Sequence, residues 1–189
     1  MNRREALSAV SVLLGGTVIG SEIFLSGCSR PETAKQVGFL TNDNIAFLDE
    51  VGETILPATS SSPGAKETRI GEYMNLMITD CYSAEEQTIF AEGITELNEA
   101  SKKKFGDGFQ DINPAQRHEL LLEIEAVVKK YNVGKKDNDP AHYYTMMKQL
   151  TLLGYFSSEA GATKALRHVA VPGRFDACVP LEKGQKAWA

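Results

Sequence analysis

The residues most able to carry acid–base or metal chemistry are His118, His142 and His168. None lies four residues from another or from a cysteine, and there is no His-Glu-x-x-His, so the spacing of a helical zinc site is missing. His118 falls off the apolar stripe of its expected helix and His142 sits in the first turn of the next, which reads as surface or locally bonded imidazoles. The paired carboxylates do no better. Glu123 and Glu125 diverge on a helix, and Glu85-Glu86 suit a helix N-terminus. Asp49-Glu50 is one more such pair, and nothing in the sequence singles out a catalytic acid and base among them. Gly106-Asp107-Gly108 lacks the spacing of a phosphate loop. Asp137-Asn138-Asp139 opens like a calcium loop, but the required Gly and Glu do not follow. There is no Gly-x-Ser-x-Gly elbow, and Met74, Met77, Met146 and Met147 stand at core spacing. The residues themselves present no catalytic, cofactor or metal site.

The cysteines carry a different chemistry. The chain opens with Arg3 and Arg4, has no charge from Ala6 to Ser21, and passes through Leu25-Ser26-Gly27 to Cys28. That layout is an export signal, and the run is too short for a comfortable membrane span. Adjacent arginines resemble the twin-arginine signal of bacteria, with Asn2 and Ala6-Leu7 where that signal usually has Ser and Phe-Leu. Leu25-Ser26-Gly27-Cys28 resembles a lipobox, in which cleavage leaves the cysteine as a lipid-bearing N-terminus. Several acyl chains, at about 0.8 kcal/mol per buried CH₂, anchor a protein firmly. The expected organisation is a signal over 1–27, a polar tether over 28–38 and a domain over 39–189, lipid-anchored on the periplasmic side of a bacterial envelope. In that compartment Cys81 and Cys178 are candidates for a disulfide; the other reading is a small core residue at 81 and a free thiol at 178. No Cys-x-x-Cys-His is present to attach a c-type haem.

Cleavage at that point leaves 162 of the 189 residues, enough for one domain with a real core, carrying 18 basic against 23 acidic side chains. A mildly acidic chain without a basic block argues against nucleic acid as a partner.

The elements follow from periodicity and caps. Thr41 caps a helix with Ile45, Leu48, Val51 and Ile55 on one face, stopped by Pro57. After a Ser/Pro/Gly loop, a second helix runs from about Arg69 to Tyr82, with Ile70, Tyr73, Met74, Met77 and Cys81 as its apolar face. Ser83 and Glu86 have capping-box spacing and start a third, with Phe90, Ile94, Leu97 and Ser101 inward and Lys102 to Lys104 at its C-terminus. Phe105 and Phe109 flank a break. Asn113-Pro114-Ala115-Gln116 opens a fourth helix, carrying Leu120, Leu121, Ile124, Val127, Val128 and Tyr131. Asp139-Pro140 is expected to open a fifth, with Tyr143, Met146, Met147, Leu150 and Gly154 inward, and a short helix is expected over 158–166. The remainder reads as extended. No stretch alternates with period two, so the class is all-α: one bundle-like helical domain with an extended C-terminal segment.

Two stretches, Leu150-Thr151-Leu152-Leu153-Gly154-Tyr155-Phe156-Ser157-Ser158-Glu159-Ala160-Gly161 and Pro172-Gly173-Arg174-Phe175-Asp176-Ala177-Cys178-Val179-Pro180, follow Ile55-Leu56-Pro57-Ala58-Thr59, Pro63-Gly64-Ala65 and Phe105-Gly106. Taken together and in this order, they resemble the gluconate 2-dehydrogenase subunit 3 family. The resemblance implies a small subunit without its own cofactor, not catalytic alone. It implies a large FAD-containing partner of the glucose–methanol–choline type and, in many complexes, a multihaem cytochrome c subunit. The large subunit would oxidise a sugar, sugar acid or polyol, and the small one would help it fold and reach the periplasm. The lipobox departs from complexes anchored through the cytochrome and implies that here the small subunit is the anchor. Phe175, Pro180 and Trp188 lack a helical core position and are the candidate partner contacts; otherwise Phe175 packs on its own domain and Trp188 lies in a frayed terminus. A structural lipoprotein with another partner, and a self-contained enzyme, are the competing readings.

Overall fold

The computed structural model describes residues 39–136, 139–171, 173–175 and 177–189. The export-signal arginines Arg3 and Arg4, the lipobox with Cys28 and the tether lie outside the described residues. Within them are five α-helices: α1 (Asn42–Ile55), α2 (Ile70–Cys81), α3 (Ala84–Phe105), α4 (Pro114–Gly134) and α5 (Tyr143–Ser157). A 3₁₀ turn (Ala65–Thr68) precedes α2 and a π-helical turn (Gly161–Ala165) follows α5. The described residues form no strand, and the fold is all-α as expected.

Three helix starts are held by the side chains that the sequence singles out. Thr41 Oγ1 accepts from the Asn44 N–H at 3.2 Å. Ser83 and Glu86 cap each other reciprocally, and so do Asn113 and Gln116. Each satisfies N–H groups that the first helical turn leaves without partners. α3 ends at Gly106, whose φ of 91° is a left-handed closure suited to glycine.

The fifth helix starts later than Asp139-Pro140. The Asp139 carboxylate turns back to accept from the Lys136 N–H at 2.8 Å, and the Tyr131 hydroxyl donates to the Pro140 carbonyl at 2.9 Å. Those bonds commit Asp139 and Pro140 to the connection. His142 becomes the cap instead, its Nδ1 accepting from the Tyr144 N–H at 3.2 Å. The expected short helix over 158–166 is replaced from Gly161 by the π-helical turn.

α5 is the axis of the domain and packs against every other helix. Tyr143, Tyr144, Met146, Met147, Leu150, Thr151, Gly154 and Tyr155 are all buried. At Gly154 the α2 side chains come so close that a Cβ would stand 2.5 Å from both Ile70 Cδ1 and Tyr73 Cδ1, so only a glycine lets α2 and α5 cross there. Tyr155 also reaches out of α5 to donate its hydroxyl proton to the Pro63 carbonyl at 2.6 Å, tying down the loop after α1.

α2 is turned slightly from the expected face. Ile70, Met74 and Ile78 are fully buried and Asn75 is nearly so, whereas Tyr73 and Met77 are half-buried and Cys81 is exposed. The reason lies before α1: Leu40 is buried, and its N–H donates to Asn75 Oδ1 at 3.3 Å, which draws that side of α2 inward. In α4, Leu120, Leu121 and Val128 are buried as expected, but Val127 and Tyr131 are exposed, with no helix among the described residues covering that side of its C-terminal half. Phe109 is fully buried and stacks at 5.3 Å on Phe47, anchoring the α3–α4 connection to α1.

Candidate partner-binding surface

The polar groups with the strongest interactions are structural. Glu50 on α1 accepts from both Lys66 and Arg117. Arg117 also donates through Nε to the Phe109 carbonyl at 2.9 Å and to the Gln110 carbonyl at 2.5 Å. Burial alone would push the Glu50 carboxyl up, but the Lys66 hydrogen bond and the Arg117 charge hold it below the ordinary glutamate value. Its neighbour Asp49 is pushed up by burial, against a hydrogen bond from the Gly71 N–H at 2.8 Å. The pair read as Asp49-Glu50 therefore joins α1 to α2, α4 and the 3₁₀ turn.

The histidines separate. His118 and His168 are exposed, and His142 is the α5 cap, in contact with the Tyr131 and Tyr143 rings at 5.6 and 4.4 Å. Burial lowers the His142 pKa and pushes the Tyr143 hydroxyl up to about 12. No three His, Cys, Asp or Glu side chains among the described residues are grouped to hold a metal ion. An open cleft of about 380 Å³ lies between the 3₁₀ turn and the end of α5, lined by Glu67, Thr68, Ser158, Glu159, Thr163 and Lys164. Its hydroxyls are committed: Thr68, Ser158 and Thr163 donate to the carbonyls of Ala65, Tyr155 and Glu159. Lys164 pairs with Glu67 across the cleft at 3.0 Å.

The disulfide between Cys81 and Cys178 is corrected by the structure: both thiols are free and exposed. Residues 186–189 fold back onto 164–167, beside Glu67 and the start of α2. The reading of Cys81 as a core residue falls with the rotation of α2.

What the domain does present is apolar surface. Leu152, Leu153 and Phe156 lie at i, i+1 and i+4 on the outer side of α5, all exposed. Leu122, Val127, Tyr131 and Val133 are exposed on α4. Phe175, expected either to contact a partner or to pack on its own domain, does not pack: it is 90% exposed. Pro180 is exposed too. Trp188 is not frayed. Its residue pairs with Arg167 in a parallel bridge, and the Arg167 guanidinium lies 4.1 Å from the indole centroid. No helix among the described residues is long and apolar enough to cross a membrane.

The α5 stripe escaped the sequence reading, although a signal was there. α5 is apolar on nearly all sides, which ordinarily marks a helix surrounded by its own domain. Here the domain leaves one side open.

The sequence model of a protein family described as gluconate 2-dehydrogenase subunit 3 matches residues 42–173, well over half of the chain. The chain belongs to this family. The match runs from the first residue of α1 past the π-helical turn, so all five helices lie within the gluconate 2-dehydrogenase subunit 3 region. Phe175, Pro180 and Trp188 fall beyond its end. No curated protein and no solved structure matches the chain. The family's description makes its members one subunit among several of a dehydrogenase.

Proposed function

We propose that this chain is the non-catalytic small subunit of a periplasmic, membrane-bound, FAD-dependent dehydrogenase of the gluconate 2-dehydrogenase type. The observation that carries the reading is the family match over residues 42–173. The chain binds the large flavoprotein, assists its folding and accompanies it through the twin-arginine route. It then holds the complex at the membrane through lipid on Cys28. FAD belongs to the large subunit, which oxidises a sugar, sugar acid or polyol and delivers electrons to a cytochrome c subunit or another acceptor. Arg3-Arg4 and Leu25-Ser26-Gly27-Cys28 support the export and anchoring roles. The exposed apolar side chains support the binding role, because large exposed apolar patches mark association surfaces.

The test is genetic and biochemical. Immunoprecipitation of this chain from solubilised membranes is expected to recover a flavin-containing oxidoreductase, identified by its flavin fluorescence and its sequence. Replacing Arg3 and Arg4 by Lys is expected to leave that oxidoreductase in the cytoplasm. A flavoprotein absent from the precipitate, and still exported in the Lys variant, overturns the reading.

A further inference from the structure

The helix on which the others close begins at an imidazole. The Asp139 carboxylate is occupied with the Lys136 N–H, so the first turn of α5 is capped by His142, whose Nδ1 accepts from the Tyr144 N–H at 3.2 Å. That acceptor exists only in the neutral tautomer with its proton on Nε2; in the imidazolium both nitrogens are donors. A protonated His142 would point an N–H at an N–H and set a positive charge at the positive end of the α5 dipole. An Asn, Ser or Thr cap carries no such sensitivity.

The surroundings offer the charged form a second position. The His142 ring touches the Tyr143 ring on one side and that of Tyr131, on α4, on another. Tyr143 packs on Gly93 of α3 so closely that a Cβ there has no room. One turn along α3 from Gly93 stands the exposed Glu96. Burial opposes the imidazolium at His142, and the Glu96 charge favours it. The other charged groups around the cap are committed. Glu125, which bears on Tyr144, pairs with Lys129 and Lys148. Tyr143 and Tyr144, each pushed up to about 12 by burial, keep their protons throughout the acid range.

We propose that His142 is an acid-operated catch at the head of α5. Neutral, it caps the helix. Protonated, it releases the Tyr144 N–H, turns toward Glu96 on α3 and lets residues 139–142 open. The body of α5 stays in place, because Tyr143, Tyr144, Met146 and Met147 are buried and hold it to the core. The device uses only the domain's own groups and is independent of the small-subunit reading.

An acid titration of the purified full chain by NMR tests the catch. The hydrogen-exchange protection of the Tyr144 amide, relative to its intrinsic rate, is expected to fall roughly fivefold as the His142 ring signal passes its midpoint, the scale of a lost helix cap. On the acid side that exchange should be indifferent to low urea, the mark of a local opening, whereas exchange of the Leu150 amide should quicken with urea. His142→Asn caps without titrating and should hold the Tyr144 protection constant over the same range. Glu96→Gln should move the His142 midpoint to lower pH. Constant Tyr144 protection in the parent chain, or the same loss in His142→Asn, overturns the catch. A urea dependence at Tyr144 equal to that at Leu150 overturns the local opening. A midpoint unmoved in Glu96→Gln overturns the second position.

Discussion

Glu50 and Arg117 stand 67 residues apart in the chain and meet carboxylate to guanidinium, joining the first helix to the fourth. Both side chains are mostly buried, and Arg117 spends its other N–H groups on the carbonyls that lead into α4. Removing Glu50 leaves a partly buried cation with two of its three kinds of partner. Glu50→Ala is expected to cost about 1–2 kcal/mol in urea unfolding at pH 7. The Glu50 carboxyl is held low in the folded state, so its contribution is present above the ordinary glutamate value of 4.5 and disappears as the pH falls through the lower folded value. Glu50→Gln is expected to flatten that part of the acid limb. An unchanged acid limb would show that the pair contributes nothing.

His142 gives a second pH dependence, nearer neutrality. Its Nδ1 accepts the Tyr144 N–H only while unprotonated, and burial depresses its pKa below 6.5. Stability from this group is therefore complete above pH 6.5 and falls as the pH drops through the lower folded value. His142→Asn keeps a capping acceptor that does not titrate. It is expected to remove the slope while changing stability at pH 7 by about 1 kcal/mol or less.

Gly154→Ala tests the crossing of α2 and α5. The new Cβ would meet the fully buried Ile70, which has no open space to withdraw into, and the ring of Tyr73. A loss of about 1–3 kcal/mol is expected despite the better helix propensity of alanine. A variant at least as stable as the parent would mean that the crossing is looser than described.

The cysteines can be counted. Cys81 and Cys178 are both free and exposed, so the folded, unreduced mature protein is expected to titrate two thiols. Cys81→Ser should move stability by no more than about 0.5 kcal/mol. A missing pair of thiols would restore the bridge.

Lipidation has its own readout. Cys28→Ala is expected to move the protein from the membrane fraction to the soluble one, or to leave it as an uncleaved precursor. Unaltered processing and membrane association would remove the anchoring role.

Much of the helical framework was legible because caps are local. Thr41, Ser83 with Glu86, and Asn113 with Gln116 each state a helix start within four residues. What was not legible depends on distant residues. Asp139 has the chemistry of a cap, but Lys136 and Tyr131 draw it and Pro140 into the preceding connection. The rotation of α2 depends on Leu40, 35 residues before Asn75. The start of α2 at Arg69, with φ of 55°, goes against the residue type, and no local pattern announces it. The fold-back of Trp188 onto Arg167 was not legible either, because the two stand 21 residues apart in the chain.

The central place of α5 also bears on the order of synthesis. Four of the helices are made before the one they all pack against. Until Tyr143–Ser157 has left the ribosome, Met74, Ile94 and Leu121 have no axis to close on, and the nascent chain shows a sticky, open half-core to its surroundings. Closure of the core therefore waits for the fifth helix. A truncation anywhere before Ser157 should give an aggregating fragment rather than a smaller domain.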